Sequence, residues 1–374
     1  MSVKVLAGAS VRIDPTTFAA HLKTLKAQRL PKHVELDFYH IVDDDNPSEL
    51  IELIREQGGE WEYAEARPKE ARYGVGAQTH AWNVATFDHL AQSKQRIFEY
   101  AQKHRYDYVW IADTDLLCSP DTLASMLSVQ APIISSVFWT SWQKGSVPGP
   151  NTWLNHPYGL EGMGMSQPEY FDKLARRRVV PVRGGGACCL FNVQAMWNGA
   201  SEEWKARYYP RLEGLPSTGM WQGEDRTMAI MAEQNHIQQF ADGWPDIFHA
   251  YHPQDREADT LENVLEVLLA PQQTSVAYGD LVNFTVESLD DPQMQGKTFP
   301  VRGRLGGLAL VPELEQALLD MPVGEERILE VKFPQMWPVP QLRGQSRIMR
   351  VEFVGAKPFS YAPVLSEHMF RGLE

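Results

Sequence analysis

The sequence predicts an α/β protein: a large unit built on a mostly parallel, Rossmann-like sheet, followed by a small α+β unit. Three observations predict it. Over roughly residues 3–255, short apolar β-rich runs alternate with amphipathic helical stretches, the order that lays helices against a parallel sheet. Around Ala270-Pro271-Gln272-Gln273-Thr274 the pattern changes to short alternating strands with one helix among them, as in an antiparallel sheet packed on one face. At 374 residues the chain is also too long for one typical core. The expected units are 1–268 and 269–358, with a tail over 359–374.

Taken in order, Val3 to Ala7 reads as a first strand, Thr17 to Gln28 as a helix and Val34 to Val42 as a second strand. Ligands of such sheets gather beyond the carboxyl ends of strands, so the loop from Gly8 to Asp14, with Gly8 and Ser10, and the acidic turn Asp43-Asp44-Asp45-Asn46-Pro47 are candidate nucleotide contacts. A solvated turn is the plain alternative for each. A long helix is expected from about His80 to Lys103. Tyr106 to Ile111 then reads as a buried strand that delivers Ala112-Asp113-Thr114-Asp115. Ser119 as cap, Pro120 at the first position and Asp121 at the positive end predict the next helix start. Pro132 to Phe138 and Ala187 to Asn192 follow as strands, and the Trp-, Pro- and Gly-rich stretch Thr140 to Met165 between them suits an acceptor site or lid. In the small unit the strands are Leu281 to Glu287, Arg327 to Phe333 and Arg347 to Val354, with a helix from Pro312 to Met321.

Composition narrows the function classes. The formal net charge of −13 presents an average field that repels polyanions, which speaks against nucleic acid as partner. An acidic chain still accepts a nucleotide when a divalent cation bridges carboxylates to a pyrophosphate. No stretch approaches the length of a membrane span and the first residues carry no leader pattern, so a cytoplasmic location is expected. Cys118, Cys188 and Cys189 have no paired spacing and read as small buried apolar residues.

Two carboxylates one residue apart, on extended chain leaving a buried strand, can converge on a hard cation that also takes phosphate oxygens. Asp-x-Asp is common, and its place carries the weight. The run Tyr106-Asp107-Tyr108-Val109-Trp110-Ile111-Ala112, then Asp113-Thr114-Asp115, then Leu116-Leu117-Cys118-Ser119-Pro120-Asp121, resembles the donor-binding strand and following helix of GT-A glycosyltransferases. Two further elements come in the family's order: Arg183-Gly184-Gly185-Gly186-Ala187-Cys188-Cys189 and Trp221-Gln222-Gly223-Glu224-Asp225-Arg226.

The resemblance implies a nucleotide-sugar donor, UDP-linked before GDP-linked, held through Mn²⁺ or Mg²⁺ by Asp113 and Asp115. Asp225 is then the base that deprotonates the acceptor hydroxyl, with Glu224 as the next candidate. Both acids also suit an ordinary helix N-terminus. Asp242-Gly243-Trp244-Pro245-Asp246-Ile247-Phe248-His249-Ala250-Tyr251-His252-Pro253 resembles the segment that supplies a histidine ligand, either His249 or His252. Gly185 and Gly186 would let backbone approach the donor or acceptor, and Arg72, Asn83 and Arg96 are further donor candidates by location. The acceptor expected is a glycan, a peptide or another hydroxyl compound.

Residues 278–356 resemble FKBP-type peptidyl-prolyl isomerases, in the version found in trigger factor. The resemblance rests on Gly279-Asp280-Leu281-Val282-Asn283-Phe284, Leu310-Val311-Pro312-Glu313-Leu314-Glu315, Met321-Pro322-Val323-Gly324-Glu325 and Phe333-Pro334. The family carries an aromatic at the cleft floor where this chain has Leu314, a departure that speaks against isomerisation and leaves peptide binding, chaperoning or a purely structural role, with recruitment of the acceptor as the expectation. Phe284 and Phe333 are the other pocket candidates, with core packing as their rival fate. Two other functions compete for the whole chain. One is a peptide-binding module on a degenerate transferase fold. The other is an aspartate-based phosphotransferase, whose usual Thr two residues past the second Asp is here Leu117.

Overall fold

The computed structural model describes residues 2–43, 47–65, 84–141, 148–154, 165–199, 223–270, 276–292, 294, 296–306, 310–319, 321–337 and 339–357. β1 (Val3–Val11) is apolar through its middle and lies buried in the interior of the main sheet. α1 (Pro15–Lys26) starts where Asp14 Oδ1 accepts from Thr17 N–H at 2.8 Å, has Pro15 in its first turn and ends with Lys23 and Lys26 near its negative pole. β2 (Val34–Val42), α2 (Ser48–Gln57) and β3 (Glu60–Tyr63) follow. α3 (Val84–Lys103) then covers one sheet face, and its Ile97 and Phe98 are buried against Val109 and Phe191.

β4 (Tyr108–Ala112) runs under α3 and is followed by β5 (Leu116–Cys118) and α4 (Thr122–Val129). β6 (Ile133–Ser136), α5 (Gln167–Ala175), β7 (Val179–Val182), β8 (Cys188–Asn192), α6 (Val193–Gly199) and α7 (Glu224–Gln234) come next. β9 (Gln239–Asp242), β10 (Ile247–His249) and α8 (Ala258–Leu269) complete the first unit. The sheet order is β7-β9-β6-β8-β4-β1-β2-β3. β8 runs antiparallel to both β4 and β6, and β7 antiparallel to β9; the other pairs are parallel. Because β8 runs the opposite way, its beginning lies beside the end of β4. The Asp113 N–H donates to Ala187 O at 2.8 Å there.

The second unit holds β11 (Leu281–Ser288), β12 (Phe299–Arg304), α9 (Pro312–Leu319), β13 (Glu326–Lys332) and β14 (Ser346–Lys357). Its antiparallel sheet, in order β12-β11-β14-β13, packs α9 over one face. Phe284, Phe333 and Leu314 all lie in that core, so the aromatic pair fills the interior. The other face meets α4 through buried charge. Arg302 donates to Asp242 Oδ1 and, at 2.8 Å, to Ser125 Oγ. Lys357 Nζ donates to Asp246 Oδ2 at 2.7 Å and to Trp244 O at 2.9 Å, while the Trp244 ring lies 5.4 Å from Lys357 Nζ and 5.6 Å from the Arg302 guanidinium. A crevice of about 570 Å³ opens beside this contact, between Val3, Leu30 and Tyr108 of the first unit and Thr285 and Glu352 of the second. It lies at the amino ends of β1 and β4, away from Asp113.

Several expectations are corrected. Gly8 and Ser10 lie inside β1, because the strand runs on to Val11. A Cβ on Gly8 would meet Ile97 Cγ2 at 2.5 Å, so the glycine admits the α3 side chain and not a ligand. α4 begins at Thr122, after Ser119 and Pro120, and the Ser119 Oγ accepts at 3.1 Å from the Asp246 N–H instead of capping the helix. β12 had no expected counterpart. No helix among the described residues is long and apolar enough to cross a membrane. The three cysteines are free and buried.

Candidate functional site

The site forms where β4 ends. Val109 to Ala112 are buried, and beyond them the chain turns at once, the Leu116 N–H donating to Asp113 O at 3.0 Å. The turn sends the two carboxylates to different neighbours. Asp115 Oδ2 lies 3.3 Å from His249 Nε2 and 3.8 Å from Arg256 Nη2. This follows from register: β5 and β10 pair antiparallel with His249 opposite Leu116, and the Ala250 N–H donates to Asp115 O at 2.8 Å. His249 Nδ1 lies 2.7 Å from Thr140 Oγ1. With Nδ1–H donating to that hydroxyl, Nε2 keeps its lone pair toward Asp115, the arrangement of a metal-ligating imidazole held by an outer partner.

Asp113 faces the other way, toward α3 and α7. Its Oδ1 is 3.5 Å from Lys94 Nζ, which is also 2.8 Å from Glu224 Oε1 and 3.3 Å from Asp225 Oδ1. The Lys94 side chain is fully buried. Burial, together with the carboxylates of Asp225, Asp115 and Glu224, pushes the Asp113 carboxyl up to about 7 against the pull of Lys94. Burial likewise raises Glu224, with Lys94 opposing and Asp225 adding to the rise.

The two acids at the start of α7 divide their tasks by exposure. The Glu224 side chain is 7% exposed and locked on Lys94, whereas that of Asp225 is 27% exposed. Asp225 Oδ2 lies against Gly186, where any Cβ would overlap it. Gly185 is constrained in the same way by Ser135 Oγ, and Gly184 by the Trp153 ring. Arg226, next along α7, stacks its guanidinium 3.6 Å over Trp153.

Other expected residues stand apart from this cluster. Asp43 at the end of β2 pairs with His89 Nε2 at 3.1 Å. Arg96 is drawn to the edge of the sheet, 2.5 Å from Glu62 Oε1 and donating to Tyr63 O at 2.8 Å, and so does not reach Asp113. His252 turns its Nε2 to Ser141 O at 2.8 Å, because its own N–H is capped by Asp255 Oδ2; of the two histidines only His249 meets Asp115. Arg72 and Asn83 lie outside the described residues, as do Asp44, Asp45, Trp221, Gln222 and most of the Thr140 to Met165 stretch. Among the described residues no three His, Cys, Asp or Glu side chains gather as a ready metal cage.

The sequence reading missed Lys94 and Thr140. Neither sits in a motif; the signal for Lys94 was a lysine on the helical face that carries Ala91, Phe98 and Ala101, all buried.

No protein-family model matches the chain. An alignment of 144 residues that covers 36% of the chain is 30% identical to a protein described as a glycosyltransferase 25 family member from Drosophila melanogaster. The chain spans 23% of that relative's length. Among solved structures, TarS from S. aureus aligns with 73% of this chain and 41% of its own at 11% identity and a TM-score of 0.38. The TarS 1-349 structure in complex with UDP-GlcNAc aligns with 64% of this chain and 56% of its own at 11% identity and a TM-score of 0.34. Such scores are below those that two chains of one fold share.

Proposed function

We propose that the chain is a metal-dependent glycosyltransferase that moves a sugar from a nucleotide-sugar donor, UDP-linked by first choice, to an acceptor hydroxyl with inversion. The observation that carries the reading is the divided end of β4: Asp115 and His249 form a two-ligand pair on one side, and Asp225 presents a partly exposed carboxylate on the other. The stretch similar to a glycosyltransferase 25 family member supports the reaction class.

In this reading Asp115 and His249 hold a Mn²⁺ or Mg²⁺ ion, and Thr140 fixes the imidazole. A cation there would compensate the charge that grows on the diphosphate as it leaves. Asp225 takes the proton of the acceptor hydroxyl. The hydroxyl oxygen bonds to the anomeric carbon while the bond from that carbon to the phosphate oxygen breaks, its electron pair leaving with the nucleoside diphosphate. Asp113 is part of the charged wall behind the base more than a cation ligand, since Lys94 already engages it. The small unit, read as FKBP-like from its sequence, would recruit a peptide or glycan acceptor.

The test is a thermal-shift and calorimetric screen of UDP- and GDP-sugars with and without MnCl₂. A nucleotide that binds only the folded chain raises its melting temperature, and only with the metal present. Asp115→Ala is expected to remove the metal-dependent part of UDP binding. Undiminished Mn²⁺-dependent affinity for UDP in that variant would falsify the metal assignment.

A further inference from the structure

A lysine ammonium leaves water at a cost of several kcal/mol and stays charged inside a protein only among close partners. Lys94, in the middle of α3, is one of the largest fully buried side chains of the molecule. Its partners come from two other elements, Asp113 from the end of β4 and Glu224 and Asp225 from the start of α7. A single acid would neutralise it, and Glu224 is the nearest at 2.8 Å. The contact with Asp225 is therefore surplus to charge balance and must be judged by what it does to that carboxylate. One oxygen, Oδ1, is 3.3 Å from the ammonium; the other, Oδ2, lies over the bare Cα of Gly186. A carboxylate pinned at one oxygen and given room at the other has one orientation.

We propose that Lys94 is a positioning residue for the base: it grips Asp225 Oδ1 and so holds Oδ2 over Gly186, where the acceptor proton is taken. This rests on the reading of Asp225 as base. Lys94 touches neither donor nor acceptor in this assignment, and its effect on turnover passes through Asp225 alone. A general base displaced by about 1 Å loses on the order of a hundredfold in rate, so loss of the grip should be felt in turnover and not in donor binding.

Lys94→Met alone strands three carboxylates and can unfold the chain. The informative variant is Lys94→Met combined with Glu224→Gln, which removes one charge of each sign and leaves Asp225 intact. The full-length double variant, Glu224→Gln alone and Asp225→Asn are compared for Mn²⁺-dependent hydrolysis of UDP-glucose, UDP-galactose and UDP-N-acetylglucosamine, with water as acceptor, and for UDP affinity by calorimetry. The expected result is that the double variant melts near Glu224→Gln and binds UDP as well, yet hydrolyses at least about tenfold more slowly with unchanged KM. Hydrolysis by the double variant as fast as by Glu224→Gln, with Asp225→Asn inactive, overturns the role of Lys94 and leaves the base in place. Full hydrolysis by Asp225→Asn overturns the base itself, and the positioning role with it. A double variant that melts far below Glu224→Gln despite its balanced charge makes Lys94 a purely structural residue and also overturns the proposal.

Discussion

Where Gly186 stands, a hydrogen occupies the place that any other side chain would need, and the Asp225 carboxylate fills the space in front of it. Gly186→Ala must push that carboxylate aside or bend the start of β8. Turnover is expected to fall about tenfold or more while UDP affinity, read by calorimetry, stays within about twofold, because the Asp115 and His249 side is untouched. A second residue-scale prediction concerns His40, fully buried in β2 with neither ring nitrogen bonded to a described residue. Burial, then nearby His21, lowers its pKa to about 3; burial lowers His21 to about 4. Between pH 3 and the unfolded value of 6.5 the unfolded chain binds a proton at this position and the folded chain does not. The stability of the wild type relative to His40→Leu should therefore rise with pH through that window, by about 1.4 kcal/mol per pH unit, and level off above it. Urea titrations at three pH values would measure the difference, and a flat difference would contradict it.

At the scale of elements, helix α3 and strand β4 were legible in the sequence because each carries its own period, and the Asp-x-Asp at the strand end came with them. The partner of Asp115 was legible as far as a choice between His249 and His252, since both follow the right acidic helix; only the antiparallel register of β5 and β10 decides for His249. Lys94 was not legible. Two of its acids, Glu224 and Asp225, lie 130 residues and more along the chain, and periodicity along α3 reports which face is buried without saying what charge waits there. The extent of β1 was misjudged for a related reason: Gly8 reads as a loop residue until Ile97 is seen pressed against it. Thr140 gives this scale its prediction. Thr140→Val keeps the shape and removes the hydroxyl that bonds His249 Nδ1, so the ring loses the partner that orients it. Mn²⁺-dependent UDP affinity should drop about tenfold with little change in melting temperature.

For the whole molecule, the change of pattern near Ala270 was readable, and with it two sheets of different kind. The strength of their contact was not, because it rests on single charges far apart in sequence. Arg302 and Lys357 meet Asp242 and Asp121, which are buried, and Asp246, which is partly exposed. Burial pushes Asp246 up, but Lys357 and Arg177 outweigh it and hold the carboxyl at about 2. Breaking a buried ion pair by removing one partner costs about 3–5 kcal/mol, so Arg302→Met should lower the stability of the entire chain by roughly that amount in urea. A chain truncated near Ala270 should accordingly aggregate or melt early, and not survive as an independent transferase. An unchanged urea midpoint for Arg302→Met would show the contact to be incidental.

That contact also sets an order of events during synthesis. Asp121, Asp242 and Asp246 leave the ribosome well before Lys357, and β14, which carries Lys357, threads between β11 and β13 in the second sheet. Until it emerges, the segment from Asp242 to His249 has Arg177 as a cation for Asp246 but lacks the second one, and Asp242 lacks Arg302. The nascent first unit should therefore reach its final stability only once both cations have arrived. Arrested chains released after residue 270 and after residue 357 should differ sharply in protease resistance around Trp244, the residue on which both late-arriving cations come to rest.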